Sequence, residues 1–233
     1  MKVSVGDIID SCESKLRSSI VGGKIQGVGV NDVNFPVCTI LKGKRYKHPA
    51  YTAWRDMIRR CYDPKYHTRS PSYIGCKTSG EWFYFSNFLS WWKVNYIEGY
   101  QLDKDLLGDG FTYSAENCIY LPRWLNMFLC IKSTVTPIGR LLGVTLDGKV
   151  FKVDVNYRGR GKGKGSLGRY TTQEEAHEVW LAHKLSNAYE KKDLMDEIDL
   201  RIYPLVVATV KVKSKDALRK YHEDLQLYGK IAY

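Results

Sequence analysis

The sequence predicts an α+β protein built from short strands and amphipathic helices, and three stretches carry that expectation. Residues 50–62 (AYTAWRDMIRRCY) set Tyr51, Trp54, Met57, Ile58 and Cys61 at three- and four-residue steps, the period of a helix with one apolar face. Residues 102–126 (LDKDLLGDGFTYSAENCIYLPRWLN) read as a strand, a glycine-rich loop, a second strand and a helix. Residues 150–157 (VFKVDVNY) alternate between apolar and polar side chains, as a two-faced strand does, and a helix start follows them.

Composition bounds the class of function. The chain has 233 residues, enough for one large domain or two small ones, and a 44% hydrophobic content places it among globular proteins. Its net charge of +11 and its pI of about 9.3 favour a polyanionic partner. Nucleic acid is preferred to membrane, because no basic amphipathic anchor helix is evident. No apolar run approaches the roughly 18 residues of a membrane span. The N-terminal stretch MKVSVGDIIDSCESK lacks a long apolar core, so a cytoplasmic protein is expected. The cysteines (Cys12, Cys38, Cys61, Cys76, Cys118, Cys130) include no CxxC pair. They read as buried thiols; a metal shared by Cys61, His67 and Cys76 is the weaker alternative.

Taken in order, residues 1–35 read as a β-rich or irregular lead-in punctuated by Gly22, Gly23 and Gly27. An extended segment covers 37–41, and 42–48 (KGKRYKH) form a basic turn suited to phosphate or to solvent. The helix at 50–62 keeps Arg55, Arg59 and Arg60 off its apolar stripe, where arginines can grip phosphate through paired hydrogen bonds. Asp63-Pro64 stops it. Residues 65–76 (KYHTRSPSYIGC) read as a basic, aromatic loop. Residues 81–96 place Trp82, Phe85, Phe88, Leu89 and Trp92 on one helical face, as core. Residues 130–137 have the look of a linker.

Beyond the linker, strands are expected at 142–145, 150–157 and 166–170, with a basic glycine-rich turn at 158–165. Thr171 or Thr172, with Glu174 or Glu175 three residues on, forms a capping box. The helix it opens runs through Ala176, Val179, Trp180, His183 and Leu185, with His177 and His183 as ordinary helix residues. Charged residues 191–200 continue it, 201–212 are a strand or a docking helix, and 214–227 suit a last amphipathic helix with Leu218, Tyr221 and Leu225 on one side. The domain limits drawn from this are 1–132, 137–192 and a helical extension at 193–233.

The chemistry concentrates in 102–126. Asp103 ends the first strand, and Asn126 lies about one turn into a helix that Pro122 suits as an opening residue. If the helix folds back over the strand, the two side chains converge. A hard cation takes oxygen ligands and often only one or two of them from protein, which an Asp and an Asn carbonyl can supply.

This stretch resembles the ββα-metal core of HNH-family endonucleases, in the form found in phage-encoded and homing-type proteins. Asp103 falls on the family's first ligand, Asn117 on its central asparagine and Asn126, nine residues later, on its helix ligand. The preface W-x-x-M-I-x-R-C-Y (54–62), a P-x-Y, and E-W-x-x-F-x-x-F-x-x-W (81–91) is similar to that of phage members, so the resemblance covers residues 51–129. It implies an endonuclease or nickase that uses Mg²⁺, or Mn²⁺, to cleave DNA. Lys104 stands where the family usually has its general-base histidine, a DKD form similar to that of some phage relatives. Lys104 would need its pKa lowered several units to act as base. It can instead stabilise charge, with Asp105 or His67 as other candidate bases.

Residues 143–184 resemble the plant ethylene-response-factor-type (Apetala-type) DNA-binding domain, also found fused to HNH domains in phage homing endonucleases. Gly143-Val144, FKVDV at 151–155, LGRY at 167–170 and T-x-E-E-A-x-x-x-W-x-x-H-K at 172–184 carry the likeness. It implies a three-stranded antiparallel sheet in the major groove. The DNA contacts expected by position are Lys152, Arg158, Arg160, Lys162, Lys164 and Arg169, joined by Arg55 and Arg59 from the first domain. Two alternatives remain open: an HNH-type fold without cleavage, acting by binding DNA or a host protein, and a nuclease whose substrate is RNA.

Overall fold

The computed structural model describes residues 3–17, 23–131, 139–156 and 164–228. It divides into two compact units, Met1–Asn126 and Met127–Tyr233. The expected α+β class holds, with small sheets among helices. No helix of the described residues is long and apolar enough to cross a membrane.

The first element overturns the β-rich lead-in expected for 1–35. Ser4 Oγ accepts from Asp7 N (3.1 Å) and the Asp7 carboxylate accepts from Ser4 N (2.8 Å), a capping box that starts helix α1 (Val5–Glu13). Cys12 buries its helical face. Strands β1 (Cys38–Leu41) and β2 (Lys44–Lys47) form an antiparallel hairpin, so the basic stretch at 42–48 is mostly strand. Lys42 and Gly43 alone make the turn, both at positive φ. His48, at the end of that stretch, is fully buried between the rings of Phe35, Phe85 and Trp92 and does not face phosphate.

Helix α2 (Pro49–Tyr62) buries Trp54, Met57, Ile58 and Cys61 of the stripe read from the sequence, with Ala50 beside them, while Tyr51 is half-buried. Asp63 stops it and at once starts α3 (Pro64–Arg69), its Oδ1 accepting from Lys65 N at 2.9 Å. The loop expected at 65–76 is therefore this helix plus a 3₁₀ turn at Pro71–Tyr73. Strand β3 (Lys77–Thr78) follows. The single helix expected at 81–96 is broken at Tyr84 into a 3₁₀ turn (Gly80–Phe83) and α4 (Phe85–Asn95). The break has a cause: Val30 pairs with the backbone on both sides of Tyr84, and Asp32 takes Ser86 N at 2.8 Å to start α4.

Strand β4 (Tyr100–Asp103) runs antiparallel to β6 (Ile119–Pro122), with Asp103 opposite Ile119, while the short β5 (Thr112–Tyr113) between them pairs in parallel with β3. Pro122 closes β6, and α5 (Arg123–Leu129) begins one residue later.

In the second unit β7 (Val144–Asp147), β8 (Val150–Asn156) and β9 (Lys164–Tyr170) form the expected antiparallel sheet, in that order. Thr172 and Glu175 make the capping box of α6 (Gln173–Glu190). Val144, Phe151 and Val153 pack with Ala176 and Trp180 in one apolar cluster. Gly143 is a glycine for a reason: a Cβ there would stand 2.0 Å from Trp180 Cδ1, at a backbone φ of +77°. The charged stretch 191–200 does not prolong α6, because α7 (Lys192–Asp196) is a separate turn. Residues 202–228 form one helix, α8 (Ile202–Tyr228), since Pro204 falls in its first turn, where its missing N–H is not needed. Helix α8 lends Tyr221 to the unit's core. His177 ties the parts together: its Nδ1 donates to Leu142 O (2.8 Å), which leaves Nε2 to accept from Ser214 Oγ (2.7 Å).

Candidate functional site

Asp103 ends strand β4 with its side chain turned inward, at 7% exposure. Its Oδ1 accepts two backbone N–H groups, from Asp105 (3.0 Å) and Leu106 (2.9 Å), and so shapes the turn that leaves the strand. Among the described residues no hydrogen bond falls on Oδ2. Burial holds the carboxyl above its usual range, against the two backbone bonds, which lower it.

Lys104 is the less expected neighbour. It is only 5% exposed. Its Nζ donates to Asp105 Oδ1 and to Gly110 O, both at 2.5 Å, and lies 5.5 Å from the Tyr113 ring centroid and 5.8 Å from that of Tyr73. Burial alone would lower the ammonium, but the bond to Asp105 and its charge outweigh burial and raise it. The raised pKa does not favour Lys104 as the general base, and its ammonium clamps the glycine loop from inside. Asp105 itself is exposed.

The loop is built by its own side chains. Asp109 Oδ1 accepts from Phe111 N and Thr112 N, and Oδ2 from Thr112 Oγ1, at 2.7–2.8 Å; these bonds hold its carboxyl down at about 2. Asn117 is a turn residue packed inside the hairpin. Its N donates to Ser114 Oγ (3.2 Å) and its Nδ2 to Thr112 O (3.2 Å). Gly108 lies so close that a Cβ would stand 2.5 Å from Asn117 Cγ. The asparagine and the glycine are one packing unit.

Asn126, on α5, donates from Nδ2 to Gln101 Oε1 at 3.0 Å. Gln101 and Asp103 are two apart on β4 and share a strand face. Helix α5 thus touches the strand that carries Asp103, but the hydrogen bond it makes there goes to Gln101. Asn126 keeps its carbonyl oxygen and Asp103 its Oδ2. A carboxylate oxygen and an amide carbonyl are hard donors of the kind that Mg²⁺ or Mn²⁺ takes. Among the described residues no three His, Cys, Asp or Glu side chains group as a metal site. Burial pushes the Cys61 and Cys118 thiols up to about 12, which leaves them protonated and poor as ligands near neutrality.

Sequence reasoning missed the wall behind Lys104. Arg60 lies over the Tyr73 ring at 5.8 Å and Arg59 over Tyr66 at 5.2 Å. Arg60 is half-buried and does not lie free on the helix surface. His67 Nε2 donates to Arg60 O (2.8 Å), so this ring is tied to the end of α2. Only the recurrence of tyrosine (Tyr66, Tyr73, Tyr113) hinted at this cluster, and nothing local says that they meet. Arg55 pairs with Asp56 (3.0 Å).

On the sheet of the second unit, Lys152 and Arg169 stand opposite one another across β8 and β9. Each has an acidic partner: Lys152 with Asp154 (2.9 Å), and Arg169 through Nε and Nη2 with one oxygen of Asp147 (2.9 and 2.7 Å). Lys164 opens β9, and Arg158, Arg160 and Lys162 lie outside the described residues. No protein-family model, curated protein or solved structure matches this chain, so the likeness to HNH and ethylene-response-factor-type proteins rests on the residues quoted above.

Proposed function

We propose that this protein is a DNA-binding, HNH-type endonuclease or nickase that works with a divalent metal. The observation that supports it best is that Asn126 bonds to Gln101 on the strand that ends in Asp103. An inward carboxylate is anchored through one oxygen only, and the asparagine reaches the same face of the same strand. Asp103 Oδ2 and the Asn126 carbonyl would hold the ion, which when bound supplies polarisation of the scissile phosphate and charge for the leaving oxygen. Lys104 keeps its proton and fixes the shape of the turn. Asp105, exposed beside it, is the carboxylate in reach of water to take up a proton. Lys152 and Arg169 would trade their acidic partners for DNA, which makes binding salt-dependent.

A second reading has its own observation. Lys104, at the position of the family's usual histidine, is committed to Asp105 and Gly110, as expected of an HNH-type fold that acts by binding DNA or a host protein. Incubation of supercoiled plasmid with Mg²⁺ or Mn²⁺ separates the two. Nicked or linear product from the wild type, lost in Asp103→Ala and in Asn126→Ala, supports the nuclease. Salt-sensitive binding without cleavage under either metal rejects it in favour of the binding protein. RNA offered in place of plasmid at the same salt decides the substrate.

A further inference from the structure

We propose that Phe111 is a stacking wedge for DNA: its ring packs against a nucleobase and fixes where the strand lies beside the Asp103 turn. The inference rests on the reading that the chain binds DNA. Of the seven phenylalanines, Phe111 alone is exposed, at 54%. A single exposed apolar side chain is ordinary on a protein surface. What sets this one apart is its backbone. Phe111 N donates to Asp109 Oδ1 (2.8 Å), and Phe111 O accepts from Lys77 N (2.9 Å). The residue before it, Gly110, is held at its carbonyl by Lys104 Nζ. The residue after it, Thr112, is held at N and Oγ1 by Asp109 and at O by Asn117. Three consecutive residues are thus pinned by four different side chains or strands, while the side chain at their centre faces solvent.

A ring presented on a fixed turn has little backbone freedom left to lose on binding, which is the condition for an effective anchor. Its flat apolar face matches a nucleobase, and every base offers one whatever the sequence. One exposed cation stands by for a phosphate. Lys77 is exposed, and its charge reaches Asp109. Lys104, one residue after Asp103, grips the wedge from behind. The turn that shapes the candidate metal ligand and the turn that presents Phe111 are therefore joined through one lysine. A base seated on Phe111 would be in fixed register with Asp103.

The test uses the full chain, without divalent metal, and duplexes that carry 2-aminopurine at successive positions. Expected for the wild type is a fluorescence change at a restricted set of positions. Phe111→Ala should lose that change and bind about 10- to 100-fold more weakly at fixed salt, with an unchanged Tm and an unchanged salt slope, because phosphate contacts are untouched. Phe111→Trp should restore both signals. Equal affinity and the same fluorescence in Phe111→Ala would overturn the wedge while leaving DNA binding in place. A wild type that binds no duplex at any salt would overturn both.

Discussion

Lys104 in the first unit and Lys184 in the second sit in similar surroundings and are driven in opposite directions. Each ammonium donates to a backbone carbonyl, Gly110 O at 2.5 Å and Phe128 O at 2.8 Å. Each lies over an aromatic ring, Tyr113 at 5.5 Å and Phe128 at 3.8 Å. They differ in the next charge along. Lys104 has the Asp105 carboxylate, and its pKa is raised. Lys184 is lowered to about 8, first by burial and then by Lys213, which donates to the adjacent Leu129 O at 3.1 Å. Burial acts against the charge in both places. At Lys104 a neighbouring carboxylate overcomes burial, whereas at Lys184 a second cation adds to it.

The largest effect should come from breaking the clamp. Lys104→Met keeps the stem's apolar contacts and removes two charge-assisted hydrogen bonds from a buried site, which costs about 3 kcal/mol. Urea unfolding followed by tryptophan fluorescence reads this, because Trp54, Trp82, Trp91, Trp92 and Trp124 all lie in the first unit. A loss under about 1 kcal/mol would mean that the glycine loop does not depend on Lys104.

A somewhat smaller effect tests whether the loop that Lys104 grips is as tightly built as its hydrogen bonds imply. In Gly108→Ala the new methyl would stand 2.5 Å from Asn117 Cγ and 2.6 Å from its Cβ. The Cβ is fixed to the backbone, so the side chain cannot simply swing aside. Overpacking of this kind costs about 2 kcal/mol. Gly108→Ala combined with Asn117→Gly should recover part of it in the same urea experiment; no recovery would place the strain elsewhere.

The contrast between the lysines also marks what was legible beforehand. Helix α2, strand β8 and the Thr172 cap were readable because their signals repeat within a few residues. Helices α1 and α3 were not recognised, although Ser4 with Asp7 and Asp63 with Pro64 are start signals. They open short helices of which only a turn or two bears the apolar period. In the candidate site, Asp103, Asn117 and Asn126 were marked by their likeness to the HNH pattern. The role of Lys104 was not. It depends on burial and on the Gly110 carbonyl and the rings of Tyr73 and Tyr113, which come beside it only in the folded chain. The acid that meets Arg169 was hidden for the same reason, since Asp147 reaches it only through strand register, whereas Asp154, the partner of Lys152, lies two residues along the same strand.

The smallest effect at neutral pH is expected at Lys184, and its pH dependence sharpens the comparison. Lys184→Met loses a hydrogen bond but also an ammonium that burial disfavours, so stability near pH 7 should move by less than about 1 kcal/mol. The sign then follows from linkage. The folded pKa, about 8, lies below the unfolded value near 10.4, so the unfolded chain binds more protons between the two. This group's contribution therefore grows as pH rises from 8 towards 10, by about 2 kcal/mol once its partial exposure is allowed for. Lys104, raised above its ordinary value, works the other way: its contribution is complete below the unfolded pKa and is lost only as pH climbs through the folded one. Cys61 and Cys118, raised to about 12, also oppose the Lys184 trend, since the unfolded thiols ionise first. The informative quantity is thus the difference between wild type and Lys184→Met in urea titrations followed by far-UV circular dichroism at pH 7 and pH 10. The wild type should gain on the variant between the two pH values. A constant difference would show Lys184 to be charged and solvated like a surface lysine, and the two sites would then differ in access to water before they differ in neighbouring charge.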